Sequence, residues 1–444
     1  MPETIRSEVT LRNSILVLTF TVAALSTVAA QDLGGEIDAR IAAVMPKVIS
    51  WRRDIHQHPE LSNREVRTSK IVADHLRALG LDVRTNVAKT GVVGLLRGGR
   101  PGPVVALRAD MDALPVTEML DLPFKSVEKS TYNGQDVGVM HACGHDAHVA
   151  MLMGVAEILA GLKAQLPGTV KFIFQPAEEG PPPGETGGAS DMVAEGVLEN
   201  PHVDAIFGLH VMPLEQGSLW YRAGGLMASS DTFRIVVHGR QTHGAVPWGG
   251  VDPIAVSAQI VMGLQTIVSR QVDITNAPAV VTVGRIIGGI RYNIIPDSVV
   301  MEGTIRALDP KMQQDIQARV KRTAELIAES AGAEAEVKIE NTAPVTFNDP
   351  ALTEQMTPTL RRIAGDRLFT VRPRTVAEDF SRFQEKVPGL FFYLGVNQKD
   401  ADPTKVAENH SPYFFVDEAA LPTGVRAMAN LAVDYLQKGK GHGQ

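Results

Sequence analysis

Five short stretches of this chain carry residues able to ligate a metal or move a proton. Asp110 and Asp112 follow the apolar run Val104 to Leu107, Glu178 and Glu179 follow Val170 to Phe174, and His210 follows Ala205 to Leu209. His410 lies in the segment after Leu390 to Val396, and Cys143 and His145 fall together in His-Ala-Cys-Gly-His-Asp-Ala-His, residues 141–148. Thiolate, imidazole and carboxylate gathered in one place suit a zinc-like divalent ion. A lone buried cysteine usually packs as a small hydrophobe, but two residues from His145 and with an acidic pair downstream, Cys143 reads as a ligand. Neighbouring side chains after a strand project differently, so Glu179 can bind metal while Glu178 takes a proton from an attacking water and returns it to a leaving nitrogen. Asp112 reads either as a turn cap or as a residue that orients a ligating histidine. His141 and His148 divide evenly between such support and simple packing, while His56, His58, His75, His202, His238 and His442 read as structural or exposed.

The elements that must hold these residues are short, nearly all-apolar runs alternating with helical periodicity. The runs ending at Leu107, Phe174, Leu209 and Val396 are expected to be buried strands of a mainly parallel sheet covered by helices. Ligands gather at the carboxyl ends of such strands. Helices are expected over Ile37 to Ile55, Val66 to Leu79 (closed by Gly80) and Ala147 to Leu162, with Asp146 as the N-cap of the last. From Ser229 the order changes to strand, helix, strand, strand, helix, strand, which is the β-α-β-β-α-β pattern of a ferredoxin-like unit. The core-type pattern returns near Phe391. The fold expected is therefore α/β, a mainly parallel-sheet domain that carries these candidate ligands (31–228 and 342–444), with an inserted ferredoxin-like domain (229–341).

The chain has 444 residues, 44% of them apolar, and a formal net charge of −7. That length supports two domains, and the charge balance points away from nucleic acid and anionic membranes. Arg6 and Arg12 precede the apolar run Ile15 to Val28, with small residues at Val28-Ala29-Ala30, the pattern of a cleaved signal peptide over 1–30. Export to the periplasm or medium is the expectation, with no stable membrane insertion after cleavage. Cys143 is the single cysteine, so no internal disulfide forms.

Longer motifs add a resemblance. Arg52-Arg53-Asp54-Ile55-His56, Arg108-Ala109-Asp110-Met111-Asp112-Ala113-Leu114-Pro115, the 141–148 segment and Gln175-Pro176-Ala177-Glu178-Glu179-Gly180 come first. Gly208-Leu209-His210, Tyr292-Asn293-Ile294-Ile295-Pro296, Glu378-Asp379-Phe380 and His410-Ser411-Pro412 follow. Across them the chain resembles the metal-dependent amidohydrolases that include hippurate hydrolases, indole-acetyl-amino acid hydrolases and N-acyl amino acid amidohydrolases, relatives of dimetal aminoacylases and carboxypeptidases. The resemblance implies two divalent ions per subunit (Zn, Mn or Co) held by Cys143, His145, Glu179, His210 and His410, the cysteine bridging, with Glu178 as general base. It also implies a dimetal catalytic domain, an inserted domain that serves dimerisation or as a lid, a homodimer, an oxyanion-stabilising His243, and Asn293 and Arg306 holding the carboxylate of a small amide substrate. Two departures bear on specificity: Gln241-Thr242-His243 with Trp248 replaces the usual Gly-Gly-His with a later Pro-His, and Pro181-Pro182-Pro183 is extra. An exported amino- or carboxypeptidase, or a solute- or metal-binding protein that has no need of Glu178, are the alternative readings.

Overall fold

The structure, a computed structural model, describes residues 33–402 and 404–439; the expected signal segment lies outside them. Eight strands form the central sheet: β1 (Asp82–Val87), β2 (Gly91–Arg97), β3 (Arg100–Asp110), β4 (Pro167–Gln175), β5 (Ala205–Met212), β6 (Leu219–Tyr221), β7 (Leu368–Thr370) and β8 (Gly389–Gly395). Their order is β1-β2-β4-β3-β5-β8-β6-β7. The four central strands β4, β3, β5 and β8 run parallel, while β1, β2 and β6 pair antiparallel with their inner neighbours. β5 and β8 are buried along their whole length. Their near-continuous apolar sequences follow from that, since each face of the sheet is covered.

One face is covered by helices Leu33–Gln57, His145–Ala160 and Leu421–Lys438, whose side chains share a core with Leu107, Phe172, Phe207 and Phe392. Met192, Phe380, Phe383 and Phe391 build a second core on the opposite face. The helix His145–Ala160 begins differently from the sequence expectation. Its N-cap is Gly144, and Asp146 lies within the first turn, where its carboxylate pairs with Arg52 Nε and accepts from His56 Nδ1, both at 2.9 Å. Gly144 has φ +91°, and a Cβ there would lie 2.3 Å from Val211. Only glycine reverses the chain between Cys143 and His145 in that space.

Strands Ser230–His238, Ala279–Gly288, Ser298–Ala307 and Glu334–Ala343 form a separate antiparallel sheet, ordered with Ser230–His238 and Ser298–Ala307 in the middle. Helices Pro253–Thr266 and Pro310–Ser330 pack on it around a third core. Asp252 and Asp309 cap these helices through their carboxylates, each followed by a proline at N1. Ser230, Thr342 and Ala343, at the two joints with the larger sheet, reach the main cavity described below.

A buried ionic knot fixes the carboxyl ends of β3 and β4. Arg108 donates to Gln175 at 2.8 Å, Asp110 at 2.6 Å, Glu378 at 2.9 Å and Asp379 at 3.1 Å. Its side chain is wholly inaccessible. Arg108→Met leaves two or three carboxylates buried without their cation, so the variant is expected to lose about 3–5 kcal/mol of unfolding free energy in denaturant titration. A loss below about 1 kcal/mol would mean that the cluster is not held by this arginine.

Candidate metal centre

The carboxyl ends of β3, β4 and β5, the turn before helix His145–Ala160 and the loop after β8 converge. Cys143 Sγ lies 3.3 Å from His210 Nε2 and 3.3 Å from His410 Nε2. His410 Nε2 lies 3.1 Å from Glu179 Oε1, and His145 Nε2 lies 3.9 Å from Glu178 and 4.0 Å from Glu179. Ligand atoms of Cys143, His145 and His210 fall within 4.8 Å of one another, as do those of Cys143, Glu179 and His410. Cys143 is common to both trios, the placement a bridging thiolate needs.

The donor set fits divalent ions by two further observations. At ordinary zinc–sulfur and zinc–nitrogen bond lengths, two ligands of one tetrahedral ion sit roughly 3.3–3.7 Å apart, and the sulfur–nitrogen spacings match. The ring nitrogens are also committed: His145 Nδ1 bonds the Asp112 carbonyl at 2.8 Å and His210 Nδ1 the Val211 carbonyl at 2.7 Å. Each therefore donates from Nδ1, which leaves the Nε2 lone pair facing the cluster. His145 Nε2 and Glu179 Oε1 are buried with no hydrogen-bond partner.

Supporting contacts come from residues whose roles were open in the sequence. Asp112 accepts from Ser62 Oγ at 2.8 Å and from Glu179 N–H at 2.9 Å, besides offering its carbonyl to His145. His148 Nδ1 bonds Asp110 at 2.6 Å, while its Nε2 accepts from Val211 N–H at 2.8 Å, beside His210. Ala177 (φ +52°) and His410 (φ +70°) occupy the left-handed region without being glycine. Such residues cluster where surroundings enforce a geometry.

The electrostatics are those of a site short of positive charge. Burial, with Glu378 and Glu179 beside it, pushes Glu178 well above the usual carboxylate range. Burial and the charges of Glu179 and Glu178 push the Cys143 thiol well up. Burial opposes protonation of His145, yet Asp110 and Asp112 outweigh it and raise the imidazole to about 10. His210 is driven well below its ordinary value by burial and then by His148. Protons and divalent cations compete for such a cluster, so its metal affinity rises with pH.

Glu65 had no signal in the sequence beyond an acid preceding a helix. It is fully buried, accepts from Ala177 N–H at 2.9 Å and Thr90 Oγ1 at 2.6 Å, and so holds the residue that aims Glu178. Burial and the Asp112 charge raise it from 4.5 to about 7. Between those values the folded protein keeps a proton that the unfolded chain releases, so stability falls as pH rises through the window. In metal-free protein Glu65→Gln is expected to remove roughly 2–3 kcal/mol of the stability difference between about pH 5 and pH 8. An unaltered pH profile in urea unfolding would contradict this.

Cys143, Glu178, Glu179, His210 and His410 line one end of a cavity of ≈ 720 Å³, whose other walls include Met212, Met227, Val376 and Tyr393. His243, Asn293 and Arg306 do not line it. His243 is exposed on a two-residue strand paired with Ile294–Ile295, next to Asn293, whose backbone carbonyl accepts from Gly244 N–H. The Arg306 guanidinium donates to the Ile305 carbonyl at 2.9 Å and the Asp231 carbonyl at 3.5 Å.

With that geometry established, similarity to known proteins is informative. Residues 106–434 match the model of peptidase family M20/M25/M40. The chain is 42% identical over 411 residues to a thermostable carboxypeptidase 2 of Saccharolobus solfataricus, covering 92% of this chain and 100% of that protein. It is 39% identical over 393 residues to a Bacillus subtilis N-acetylcysteine deacetylase, covering 88% and 97%. Among solved structures, the Bacillus subtilis YXEP protein, described as a dinuclear metal binding peptidase from the M20 family, superposes with TM-score 0.72 at 37% identity over 89% of this chain and 99% of that one.

Proposed function

Because the chain belongs to peptidase family M20/M25/M40, and is thus a hydrolase of C–N amide bonds, we propose that it cleaves N-acyl amino acids with two divalent ions held by Cys143, His145, Glu179, His210 and His410. The observation that carries the reading is Glu178, which lines the cavity and belongs to neither trio that shares Cys143, while its carboxylate also lies within reach of His145 and Glu179. Bound ions supply charge that polarises the amide carbonyl and acidifies water. Glu178, made more basic by burial, takes the proton from the attacking water and passes it to the leaving nitrogen. Asp112 keeps His145 and the Glu179 backbone in register.

The metal pair is zinc, manganese or cobalt in this reading, since thiolate with imidazole and carboxylate accommodates all three. A homodimer is proposed on the inserted domain: Ala279–Gly288 is an edge strand, and Ile286, Ile287, Ile290 and Tyr292 on and beyond it are exposed. Exposed apolar edges of this kind invite pairing. His243 and Asn293 lie next to that surface, so oxyanion stabilisation by His243 calls for closure of the inserted domain or for a second copy. Arg306 belongs to the same proposal as a residue for the substrate carboxylate, although its guanidinium presently bonds backbone carbonyls. Export rests on residues 1–30; recovery of the native protein with Met1 intact from the cytoplasm would refute it. Among the described residues no helix is long and apolar enough to cross a membrane.

The carboxypeptidase relative favours a second reading, cleavage of small peptides with a free carboxylate. Both substrates place a carboxylate beside the scissile amide, so the group on the other side distinguishes them. Comparing acetylated, benzoylated and free dipeptide substrates by amino acid release is the test. Turnover confined to free dipeptides would replace the acyl amino acid reading with the peptidase one.

A further inference from the structure

The cavity contains one residue of a type that recognises anions. Among the described residues Arg374 is the sole lysine or arginine in its lining, against the carboxylates of Glu178, Glu179, Glu378, Asp379 and Glu408. The buried arginines elsewhere near the sheet are ion-paired: Arg52 with Asp146 and Glu418, Arg108 with Asp110, Glu378 and Asp379. No carboxylate among the described residues forms such a pair with Arg374. Its backbone is pinned, the N–H donating to Leu226 and the carbonyl accepting from Ala228 N–H, each at 3.0 Å.

Its guanidinium carbon lies 5.9 Å from the centre of the Tyr393 ring. Tyr393 is wholly buried, lines the same cavity, and its hydroxyl has no hydrogen-bond partner. A buried hydroxyl is ordinarily satisfied, so an acceptor brought in by a ligand would complete it. Arg374 also opens the segment that ends in Glu378 and Asp379, and four residues span at most roughly 14 Å. The cation is therefore held within a short chain length of the acidic end of the cavity, on a strut tied to the Arg108 knot.

We propose that Arg374, with the Tyr393 hydroxyl beside it, takes the free carboxylate of the substrate and so sets the preference for amides that carry one. A guanidinium fork matches a carboxylate in two parallel hydrogen bonds, and the phenol supplies a third donor. The inference rests on the hydrolase reading for the identity of the ligand, and gives to Arg374 the part that sequence resemblance gave to Arg306.

Calorimetric titration of metal-loaded Glu178→Gln protein with N-benzoylalanine and with its carboxamide separates the possibilities. The carboxylate is expected to bind roughly 10-fold tighter or more, and adding Arg374→Met should bring that ratio to near one with metal content unchanged. Arg374→Lys, which keeps the charge, and Tyr393→Phe should each give an intermediate ratio, and they decide the matter should the methionine variant fail to fold. A ratio that survives Arg374→Met, that disappears in Arg306→Met instead, or that is absent with Arg374 in place overturns the proposal. Turnover by protein with Glu178 intact is followed separately. Its absence would remove the hydrolase reading, while the binding ratio would still judge Arg374.

Discussion

Replacing Glu178 by glutamine should lower kcat for amide hydrolysis by roughly 10³-fold and leave bound metal unchanged. Glutamine keeps the shape and one acceptor oxygen but cannot take the proton that an attacking water must lose. Glu178 lies 3.9 Å from His145 Nε2, and neither trio that shares Cys143 includes it. KM should change little, since the substitution touches proton transfer more than binding. Metal analysis beside steady-state kinetics checks this. Loss of an ion together with activity would turn Glu178 into a ligand, and unchanged kcat would remove it from the chemistry.

Cys143→Ala should have the second largest effect, costing at least one equivalent of metal at micromolar protein and lowering activity by more than roughly 10²-fold. Removing a residue that merely orients a ligand already costs about 10–100-fold in affinity or activity, and here one sulfur serves both trios. Metal-free protein should unfold at nearly the wild-type temperature, because the thiol is protonated there and behaves as a small apolar group. Retention of both ions would show that the sulfur does not bridge. A collapse of the metal-free fold would assign Cys143 to packing.

The sequence made the catalytic face legible because each candidate ligand stands at a recognisable place, after an apolar run or just before a helix. The runs at Val104, Val170, Ala205 and Leu390 all lie in parallel strands of one sheet, and their order along the chain placed the acids and histidines on one rim. The outer strands were illegible for local reasons. Asp82–Val87 alternates polar residues at an edge, Gly91–Arg97 is broken by Gly94, and β6 and β7 have three residues each. Asp146 has the composition of a cap, but the left-handed Gly144 starts the helix two residues earlier than expected and frees the carboxylate for Arg52 and His56.

Residues that act by tertiary proximity left no periodic trace. Glu65 reaches Ala177 across 112 positions, and Arg374 meets Tyr393 of β8 from the segment that follows β7, where its backbone bonds Leu226 and Ala228. His243, Asn293 and Arg306 illustrate the converse. Motif resemblance grouped them with the substrate, whereas within one chain they lie outside the cavity lining, in the segment that carries the separate four-stranded sheet.

Chelator-stripped protein, assayed for amino acid release from N-acetyl and N-benzoyl amino acids before and after return of two equivalents of zinc, manganese or cobalt, tests the central claim most directly. No release from the stripped protein, and restored release that saturates at two ions per chain, is the expected result. Release that is indifferent to stripping, or metal uptake at two equivalents with no hydrolysis of any acylated amino acid, would contradict it.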